Sequence, residues 1–313
     1  MSTINNKEIS DKLRASVNRL SERESYNSVC HEHEVGEPMP STEKMGIMVN
    51  KIREIIFPGY FGSTTLDPVA INYYMGVYVD EVFEMLSDQI LAGLCFSCSE
   101  KNVEKHNLPE NTRVAKEKAA EFIGFLPELR RLMSYDVEAA YYGDPAAQGR
   151  GEVIFCYPAI RAISSYRIAH KLLQIEVPLI PRIICEMAHS ETGIDIHPRA
   201  QIGDYFTIDH GTGTVIGATC IIGNNVKLYQ GVTLGAKSFP VDEKGNPIKG
   251  IPRHPIIEDG VVIYAQATIL GRIVVGKGSI IGGNVWVTND VPPNSKVLQM
   301  KPRSASFIDG AGI

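Results

Sequence analysis

The sequence predicts an α+β protein whose first part is all-α and whose second part winds into a parallel β-helix. The β-helix prediction rests on six hydrophobic residues that recur at every sixth position, without a break, from Ile257 to Val287. Helices repeat near 3.6 residues and strands near 2, so a sustained period of six fits neither alone. It fits a short strand followed by a tight turn, three times in each coil. The all-α prediction rests on amphipathic apolar spacing, punctuated by Pro and Gly, before about residue 192.

The six-residue period begins earlier and is interrupted twice. Hydrophobic residues follow the six-residue period over 196–208 and again over 216–234. The interval between residues 208 and 216 is longer than six residues. The interval between residue 234 and Ile257, where the period resumes, is much longer still. Because stacked coils lie about 4.8 Å apart, insertions fit at the outer corners and not in the wall. Both interruptions are therefore predicted to be outward loops. Each contains a histidine, His210 or His254, although ordinary solvated loops also accommodate this residue.

Pro and Gly also divide the first part into helices. Pro68 is predicted to open a helix with Asp67 as its N-cap, and Pro127 is predicted to separate two helices. The predicted helices cover residues 45–56, 68–91, 111–125, 127–142, 157–173 and 178–191. The predicted order of regions is a polar extension with one amphipathic helix (1–44), an α-helical domain (45–192), the β-helix (193–292) with a protruding loop (235–256), and a tail (293–313).

Length, composition and charge limit the class of protein. A chain of 313 residues, 44% of them hydrophobic, is long enough for two domains with a proper core. A formal net charge of −5, without a long basic run, argues against nucleic acid as the main partner. No apolar stretch of about 18 residues occurs and the first residues are polar. We therefore expect no membrane span and no signal peptide, and a cytoplasmic location.

The cysteines predict neither disulfides nor a metal site. Six cysteines occur without disulfide-like spacing. Cys95 and Cys98 have no second pair and fall in an apolar helix pattern, which favours packing over metal or redox chemistry. Residues 30–34 combine Cys, His and Glu, yet they lie in a polar segment punctuated by Pro and Gly. This context favours a flexible solvated stretch.

Seven short motifs follow one another along the chain. They are Asp136 and residues 144–146, 166–170, 195–198, 209–213, 233–235 and 253–255. In this order, and behind a helical domain, they make the sequence resemble the serine O-acetyltransferases, hexapeptide-repeat acyltransferases of cysteine biosynthesis. The repeat alone would indicate only an acyltransferase fold. The resemblance spans about residues 130–290 and the C-terminal tail, and it implies that the β-helix is left-handed.

The chemistry of acetyl transfer from a thioester to an alcohol agrees with these motifs. The reaction needs a base for the hydroxyl proton, and an imidazole with a pKa near 6.5 suits neutral pH, so His210 is the candidate. Asp195 precedes it by a little under one coil, from where its carboxylate can orient the imidazole. The resemblance assigns both residues these roles, with direct transfer in a ternary complex and no acyl-enzyme. The alternative for Asp195 is a turn residue at the entry to the β-helix.

A serine substrate carries an α-carboxylate and an α-ammonium, so its site needs charges of both signs. Arg253 can hold a carboxylate through two parallel hydrogen bonds. The resemblance places Arg253 and His254 at the carboxylate end and Asp144 and Asp209 at the ammonium. His254 is also a candidate donor to the tetrahedral oxyanion. For Asp144 the alternative is an ordinary turn residue after a helix.

The resemblance also implies acetyl-CoA as co-substrate, and no metal. Acetyl-CoA is expected in a groove between neighbouring β-helices, bound mainly by backbone groups. The expected positions are Gly235, Ala236, Ala265 and Gly283. The sequence departs from the family beside Ala265, where Tyr264 and Gln266 replace small residues.

The predicted assembly is a homotrimer. Flat faces of the β-helix carrying Ile221, Val262 and Ile280 would be buried around a three-fold axis. The resemblance implies pairing of two trimers into a hexamer, and entry of the tail that ends in Ile313 into the active site of O-acetylserine sulfhydrylase. Cysteine is serine with sulfur in place of oxygen, so feedback inhibition by L-cysteine is expected.

Three other functions stay open on the sequence alone. Another hexapeptide O-acetyltransferase, acting on a sugar or a xenobiotic, would share His210 but would not need Arg253 with two carboxylates. A γ-type carbonic anhydrase would need three histidines to meet between subunits, and the repeat region offers only His197, His210 and His254. An inactive scaffold that binds only the sulfhydrylase would not need both His210 and Asp195.

Overall fold

The computed structural model describes residues 6–31, 36–62, 69–100 and 107–300. The predicted cap Asp67, the helix start at Pro68 and the tail ending in Ile313 lie outside these ranges. Within them, eight helices precede fourteen short strands, and none of these helices is long and apolar enough to cross a membrane. The helices are α1 (Asn6–Ser21), α2 (Arg23–Tyr26), α3 (Thr42–Ile56), α4 (Ile71–Glu100), α5 (Leu108–Gly143), α6 (Arg150–Cys156), α7 (Pro158–Gln174) and α8 (Ile180–Thr192).

Helix α5 runs through Pro127 without a break, so the predicted division into two helices at this residue is wrong. Proline removes a backbone hydrogen bond and costs about 3 kcal/mol inside a helix. Phe122 and Leu126 before it, and Leu129 and Met133 after it, share one helix face and are only 0–4% exposed. Burying one apolar side chain of this size is worth about 1.5–3 kcal/mol. Four such side chains on one continuous face outweigh the cost of the proline.

Several helix ends also differ from the prediction by a few residues, and α4 extends to Glu100 rather than to residue 91. Helix α3 begins before residue 45, because the Ser41 hydroxyl accepts a hydrogen bond from the Lys44 amide (3.3 Å) and caps the first turn. The short helix α6 was not predicted. Only Val153 and Ile154 are buried in it, so its sequence carries little periodic signal.

Buried polar contacts fix helices α5 and α7 to the first coil of the β-helix. Asp136 and Arg167, 0% and 5% exposed, are joined by two hydrogen bonds of 2.6 and 2.9 Å. Arg167 also donates to the carbonyl oxygen of Gly203 (2.9 Å), and the Phe206 amide donates to Asp136 (3.0 Å). The motif residues Asp136 and Arg167 therefore join the helical half to the β-helix.

The parallel β-helix prediction is confirmed by the strand pairing. The strands are β1 (Asp195–Ile196), β2 (Gln201–Ile202), β3 (Thr207–Asp209), β4 (Val215–Ile216), β5 (Ile221–Ile222), β6 (Lys227–Tyr229), β7 (Thr233–Gly235), β8 (Ile256–Ile257), β9 (Val262–Ile263), β10 (Thr268–Leu270), β11 (Val274–Val275), β12 (Ile280–Ile281), β13 (Trp286–Val287) and β14 (Lys296–Val297). Each strand pairs with the third strand along the chain, except at the last coil, where β12 pairs with β14, and three parallel sheets result. Sheet A contains β1, β4, β7, β10 and β13, sheet B contains β2, β5, β8 and β11, and sheet C contains β3, β6, β9, β12 and β14.

The residues of the six-residue repeat form the interior of the coils. In sheet A, Ile216, Leu234 and Ile269 stack in register and are 0–1% exposed. Every residue of the predicted repeat is buried except Ile202 in the first coil, which is half-buried. A side chain inside one coil packs on its counterpart in the next coil, which explains why the period is kept so strictly.

The two interruptions lie at different corners of the triangular coil. The pairing of β9 with β12 shows the spacing of a regular coil, which is three repeats of the period. Ile196 pairs with Ile216, so the coil between them is slightly longer than a regular coil. The extra residues lie in the turn from sheet C to sheet A. Ile222 pairs with Ile257, so the coil between them has nearly twice the length of a regular coil. The extra residues lie in the turn from sheet A to sheet B. We call these two kinds of turn the CA corner and the AB corner.

Candidate active site

His210 stands at the CA corner of the first coil. Its backbone φ is +57°, and the following Gly211 has φ +91° and no room for a side chain, because a Cβ there would lie 2.5 Å from Ile194. This tight turn directs the imidazole outwards, where it is 75% exposed. Its Nε2 lies 3.7 Å from Oδ1 of Asp209, the last residue of β3. The turn thus presents an accessible imidazole next to a carboxylate.

Asp144 brings a second carboxylate to the CA corner from the end of α5. The Tyr157 hydroxyl donates to its Oδ2 (2.5 Å), and the Ala146 amide donates to its Oδ1 (2.8 Å). These two hydrogen bonds, together with the charges of Lys227 and His210, hold the pKa of Asp144 below its usual range. Asp144 is therefore an anion at neutral pH, within electrostatic reach of His210.

Lys227, the first residue of β6, lies between these groups. Its Nζ is 3.0 Å from Oδ2 of Asp209 and donates to the carbonyl oxygen of Gly143 (2.6 Å). The ammonium also lies over the ring of Tyr229, 4.5 Å from its centroid, and the lysine side chain is only 16% exposed. Lys227 thus ties the end of α5 to the CA corner.

Asp195, the first residue of β1, lies on the sheet A side of the CA corner. Its amide donates to the carbonyl oxygen of Thr214, in the turn that contains His210 (2.9 Å). Its carboxylate lies near Glu186 and His189 of α8, with one ligand atom of each within 4.8 Å of the others. In the part of the chain that the structure describes, no hydrogen bond or ion pair joins Asp195 to His210. The fold brings the two residues to one corner without direct contact.

Arg253 and His254 lie at the AB corner, where the protruding loop ends, and Thr219 in the coil below holds both. The Thr219 hydroxyl accepts hydrogen bonds from the amides of Arg253 (2.9 Å) and His254 (3.1 Å). Arg272 donates to the carbonyl oxygens of Thr219 (2.6 Å) and His254 (3.0 Å). These contacts fix the end of a loop whose middle is exposed over residues 237–250.

His254 is a buried and neutral histidine. Its side chain is 6% exposed, and burial, with the charges of Arg253 and Arg272, lowers its pKa to about 4. The Thr219 amide donates to Nδ1 (3.1 Å), so the single proton of the neutral ring is on Nε2. Gly217 leaves room for the ring, because a Cβ there would lie 2.0 Å from its Cδ2. His254 therefore offers an Nε2–H donor at neutral pH.

Two other cationic or imidazole groups share the AB corner. The Arg253 guanidinium makes no hydrogen bond or ion pair with the residues that the structure describes, which leaves it open to a ligand. His197 accepts a hydrogen bond from the Arg199 amide at Nδ1 (3.0 Å). Burial, followed by the nearby positive charges beginning with Arg182, lowers the pKa of His197 to about 4. Two of the three histidines of the repeat region therefore lie at the AB corner, away from His210.

The residues predicted for acetyl-CoA divide between the same two corners. Gly235 ends β7 and Ala236 begins the protruding loop at the AB corner. Ala265 and Gly283 lie in successive turns of the CA corner, and a Cβ at Gly283 would approach the Ala265 carbonyl oxygen to 3.0 Å. Tyr264, the departure from the family beside Ala265, is 42% exposed at this corner.

Within one chain the predicted site is thus split into two groups. His210, Asp209 and Asp144 come together at the CA corner, with Asp195 nearby. Arg253 and His254 come together at the AB corner.

Sequence reasoning missed three residues that orient these groups, namely Thr219, Tyr157 and Lys227. Thr219 precedes His254 by one coil plus the loop, so the register of the stacked coils could have predicted that these two residues lie next to each other. Tyr157 and Lys227 left no such signal, because their contacts depend on where α5 ends.

No family model matches the chain. The chain is 50% identical over 276 residues to a plasmid serine acetyltransferase of Synechococcus elongatus, covering 88% of this chain and 86% of the relative. Among solved structures, serine acetyltransferase 1 of Entamoeba histolytica in complex with L-cysteine matches with a TM-score of 0.69 and 32% identity, over 93% of this chain and 99% of that chain. The Neisseria gonorrhoeae serine acetyltransferase in complex with serine matches with a TM-score of 0.53 and 27% identity, over 82% and 97%. The fold matches the left-handed β-helix of these proteins.

Proposed function

Because the chain belongs to the serine acetyltransferase family, we propose that it transfers acetyl from acetyl-CoA directly to the hydroxyl of L-serine, with His210 as the general base. The products are O-acetylserine and CoA. The observation that carries this mechanism is the exposed imidazole of His210 beside the carboxylates of Asp209 and Asp144.

In the proposed reaction, neutral His210 takes the serine hydroxyl proton as the oxygen attacks the thioester carbonyl carbon. The tetrahedral intermediate then collapses, the C–S bond breaks, and the proton passes from His210 to the sulfur of CoA. Asp195 is proposed to orient the imidazole and to stabilise its protonated form. Catalytic hydrogen bonds are often long or poorly aligned before ligands bind, so the lack of contact between Asp195 and His210 in the free chain is compatible with this role.

The charged groups of serine match the two corners of the coil. The α-ammonium is proposed to meet Asp144 and Asp209 at the CA corner. The α-carboxylate is proposed to meet Arg253, whose planar guanidinium holds a carboxylate through two parallel hydrogen bonds. His254, with its proton on Nε2, adds a donor at the carboxylate end and is the candidate donor to the oxyanion.

A complete site is proposed to form between two copies of the chain. The CA and AB corners border sheet A on opposite sides, about 15–20 Å apart at roughly 3.3 Å per residue. A single serine molecule cannot reach both corners of one chain. A cyclic trimer with sheet A turned towards the three-fold axis would place the AB corner of one copy next to the CA corner of the next. The same groove would then bind acetyl-CoA, because Gly235 and Ala236 lie at one corner and Ala265 and Gly283 at the other.

L-Cysteine is proposed to compete with serine, because it presents the same carboxylate and ammonium. The Entamoeba histolytica relative was solved with L-cysteine, which supports this proposal. The hexamer stays a prediction. Binding of O-acetylserine sulfhydrylase to the tail that ends in Ile313 also stays a prediction, because this tail lies outside the described residues.

The test of the proposed function is thiol release from acetyl-CoA with L-serine, L-homoserine or a hexose as acceptor. We expect release that depends on L-serine and falls by about 10²–10⁴-fold in His210→Ala, since this is the usual contribution of a general base. Lys277→Ala, at an exposed position between β11 of sheet B and β12 of sheet C, is the control and should keep the wild-type rate. Wild-type turnover by His210→Ala would contradict the mechanism, and a preference for the hexose would contradict the substrate.

A further inference from the structure

Lys227 is a largely buried cation in the proposed serine site. Its side chain is 16% exposed, and the Asp209 side chain that it contacts is 14% exposed. Lysine is mostly exposed in proteins, and its burial calls for a partner for the ammonium. Here the ammonium is paired with a carboxylate that is itself proposed to bind the ligand, in addition to its contact with the end of α5. A role in ligand binding accounts for this position.

The partners of Lys227 are those that the ammonium of an amino acid would need. An –NH₃⁺ group has three donors and no acceptor. Nζ meets the Asp209 carboxylate at 3.0 Å and the Gly143 carbonyl oxygen at 2.6 Å, and the Tyr229 ring covers a third side. Asp209 is also one of the two carboxylates proposed for the α-ammonium of serine. The other, Asp144, directly follows Gly143 in the chain.

We propose that Lys227 is an internal competitor of amino-acid ligands, whose ammonium occupies Asp209 in the free enzyme and leaves that carboxylate when serine or cysteine binds. The inference rests on the proposed function, because it assigns Asp209 to the α-ammonium. Displacement is feasible because a lysine side chain is long and flexible. The Gly143 carbonyl oxygen remains as a partner for Nζ after Asp209 is released.

Charge makes the competition measurable. Asp144 and Asp209 together carry two negative charges. The positive charge of Lys227 leaves the pocket with one net negative charge. Attraction between an ammonium and this pocket is weakened accordingly, most strongly where water is largely excluded. Asp144 keeps its hydrogen bonds to Tyr157 and Ala146 whether or not Lys227 is present. Removal of the lysine charge should therefore strengthen binding of ligands that carry an α-ammonium, and it should not strengthen binding of an anion that lacks this group.

The experiment measures binding to the full-length chain by titration calorimetry, with two thiols that differ in one group. L-Cysteine has the α-ammonium, whereas 3-mercaptopropionate lacks it and keeps the carboxylate and the thiol. Lys227→Met removes the charge and keeps most of the length of the side chain. Lys227→Gln keeps a donor for the Gly143 carbonyl oxygen and is used if the methionine variant does not fold. Lys296→Met is the matched control, because Lys296 is also the first residue of a sheet C strand and is exposed.

In the Lys227 variants we expect the dissociation constant of L-cysteine to fall about fivefold to tenfold, which corresponds to about 1–1.4 kcal/mol. The constant for 3-mercaptopropionate should not fall, because this anion has no ammonium to place at Asp209, and Lys296→Met should bind both thiols like the wild type. Unchanged or weaker cysteine binding in the folded Lys227 variants would overturn the proposal. An equal change for both thiols would overturn it as well. Turnover of serine by the wild type is measured separately and tests only the proposed function.

Discussion

The two histidines of the proposed site differ in environment, and each environment suits a different task. The His210 imidazole is 75% exposed, which allows it to exchange a proton with a bound substrate. His254 is 6% exposed and is fixed by Thr219, so it is a donor of constant protonation state at neutral pH. A base must change its charge during the reaction, whereas a group that orients a ligand must not. Burial, the charges of Arg253 and Arg272 and the hydrogen bond from Thr219 together produce this difference.

The lowered pKa of His254 predicts that stability decreases on acidification. In the folded chain its pKa is about 4, whereas an unfolded histidine has a pKa near 6.5. Between these pH values the unfolded chain binds more protons, so the free energy of unfolding falls as the pH is lowered and is fully regained above pH 6.5. We expect His254→Gln to reduce the loss between pH 7 and pH 5 by about 2 kcal/mol. Urea unfolding at both pH values measures the difference, and an unchanged pH dependence would contradict the assignment.

At the scale of the elements, helices α5 and α7 determine where the charged groups of the CA corner lie. Helix α5 ends at Gly143, so its length places Asp144 beside the turn of His210. Its contact with the first coil depends on Asp136, which is paired with Arg167 of α7 and accepts the Phe206 amide. A shift of α5 along its axis would move Asp144 away from His210.

Loss of the Asp136 carboxylate is expected to be strongly destabilising. Asp136→Ala would leave the buried guanidinium of Arg167 without its partner, and breaking a buried ion pair in this way costs about 3–5 kcal/mol. Urea unfolding measures this loss. Glu128→Ala is the matched control in the same helix, because the pair of Glu128 with Arg131 is 46% and 40% exposed and is worth about 0–1 kcal/mol. Equal effects of the two substitutions would contradict a structural role for Asp136.

At the scale of the whole molecule, the β-helix separates two sets of functional residues that no movement of a loop tip can bring together. His210 and Arg253 lie at opposite borders of sheet A. The stacked strands of this sheet fix the distance between the two residues. A catalytic unit that needs both corners must therefore contain more than one chain. This requirement, rather than the exposed apolar surface alone, is the stronger argument for the proposed trimer.

Mixing of two inactive variants tests this arrangement. His210→Ala damages the CA corner and Arg253→Ala damages the AB corner, so each homomeric assembly should lack complete sites. After the two variants are unfolded and refolded together in equal amounts, about a quarter of the sites between neighbouring chains should combine two intact corners. Activity of the mixture should recover to about a quarter of the wild-type value. A mixture that stays as inactive as its components would show that each site belongs to one chain.

Much of the fold followed from spacing alone. An inward residue at every sixth position stacks on its counterpart in the next coil, so the period is visible without knowledge of the structure. The interruptions of the period predicted that His210 and Arg253 lie in turns that project from the coils. The continuity of α5 through Pro127 was not predictable, because it depends on burial of both halves of one helix face against other elements. Lys227 was overlooked for a similar reason, since its partners come from α5 and from another coil.

By itself the sequence determined the coils, the two outward loops and the residue types that carry charge and imidazole chemistry, because these are encoded in contiguous spacing. Only the tertiary structure decided which of these residues meet. The stacking of coils placed Thr219 under His254, the end of α5 placed Asp144 and Lys227 beside Asp209, and the triangular cross-section placed Arg253 at a different corner from His210. Such contacts join residues that lie far apart in the chain, and no local pattern records them.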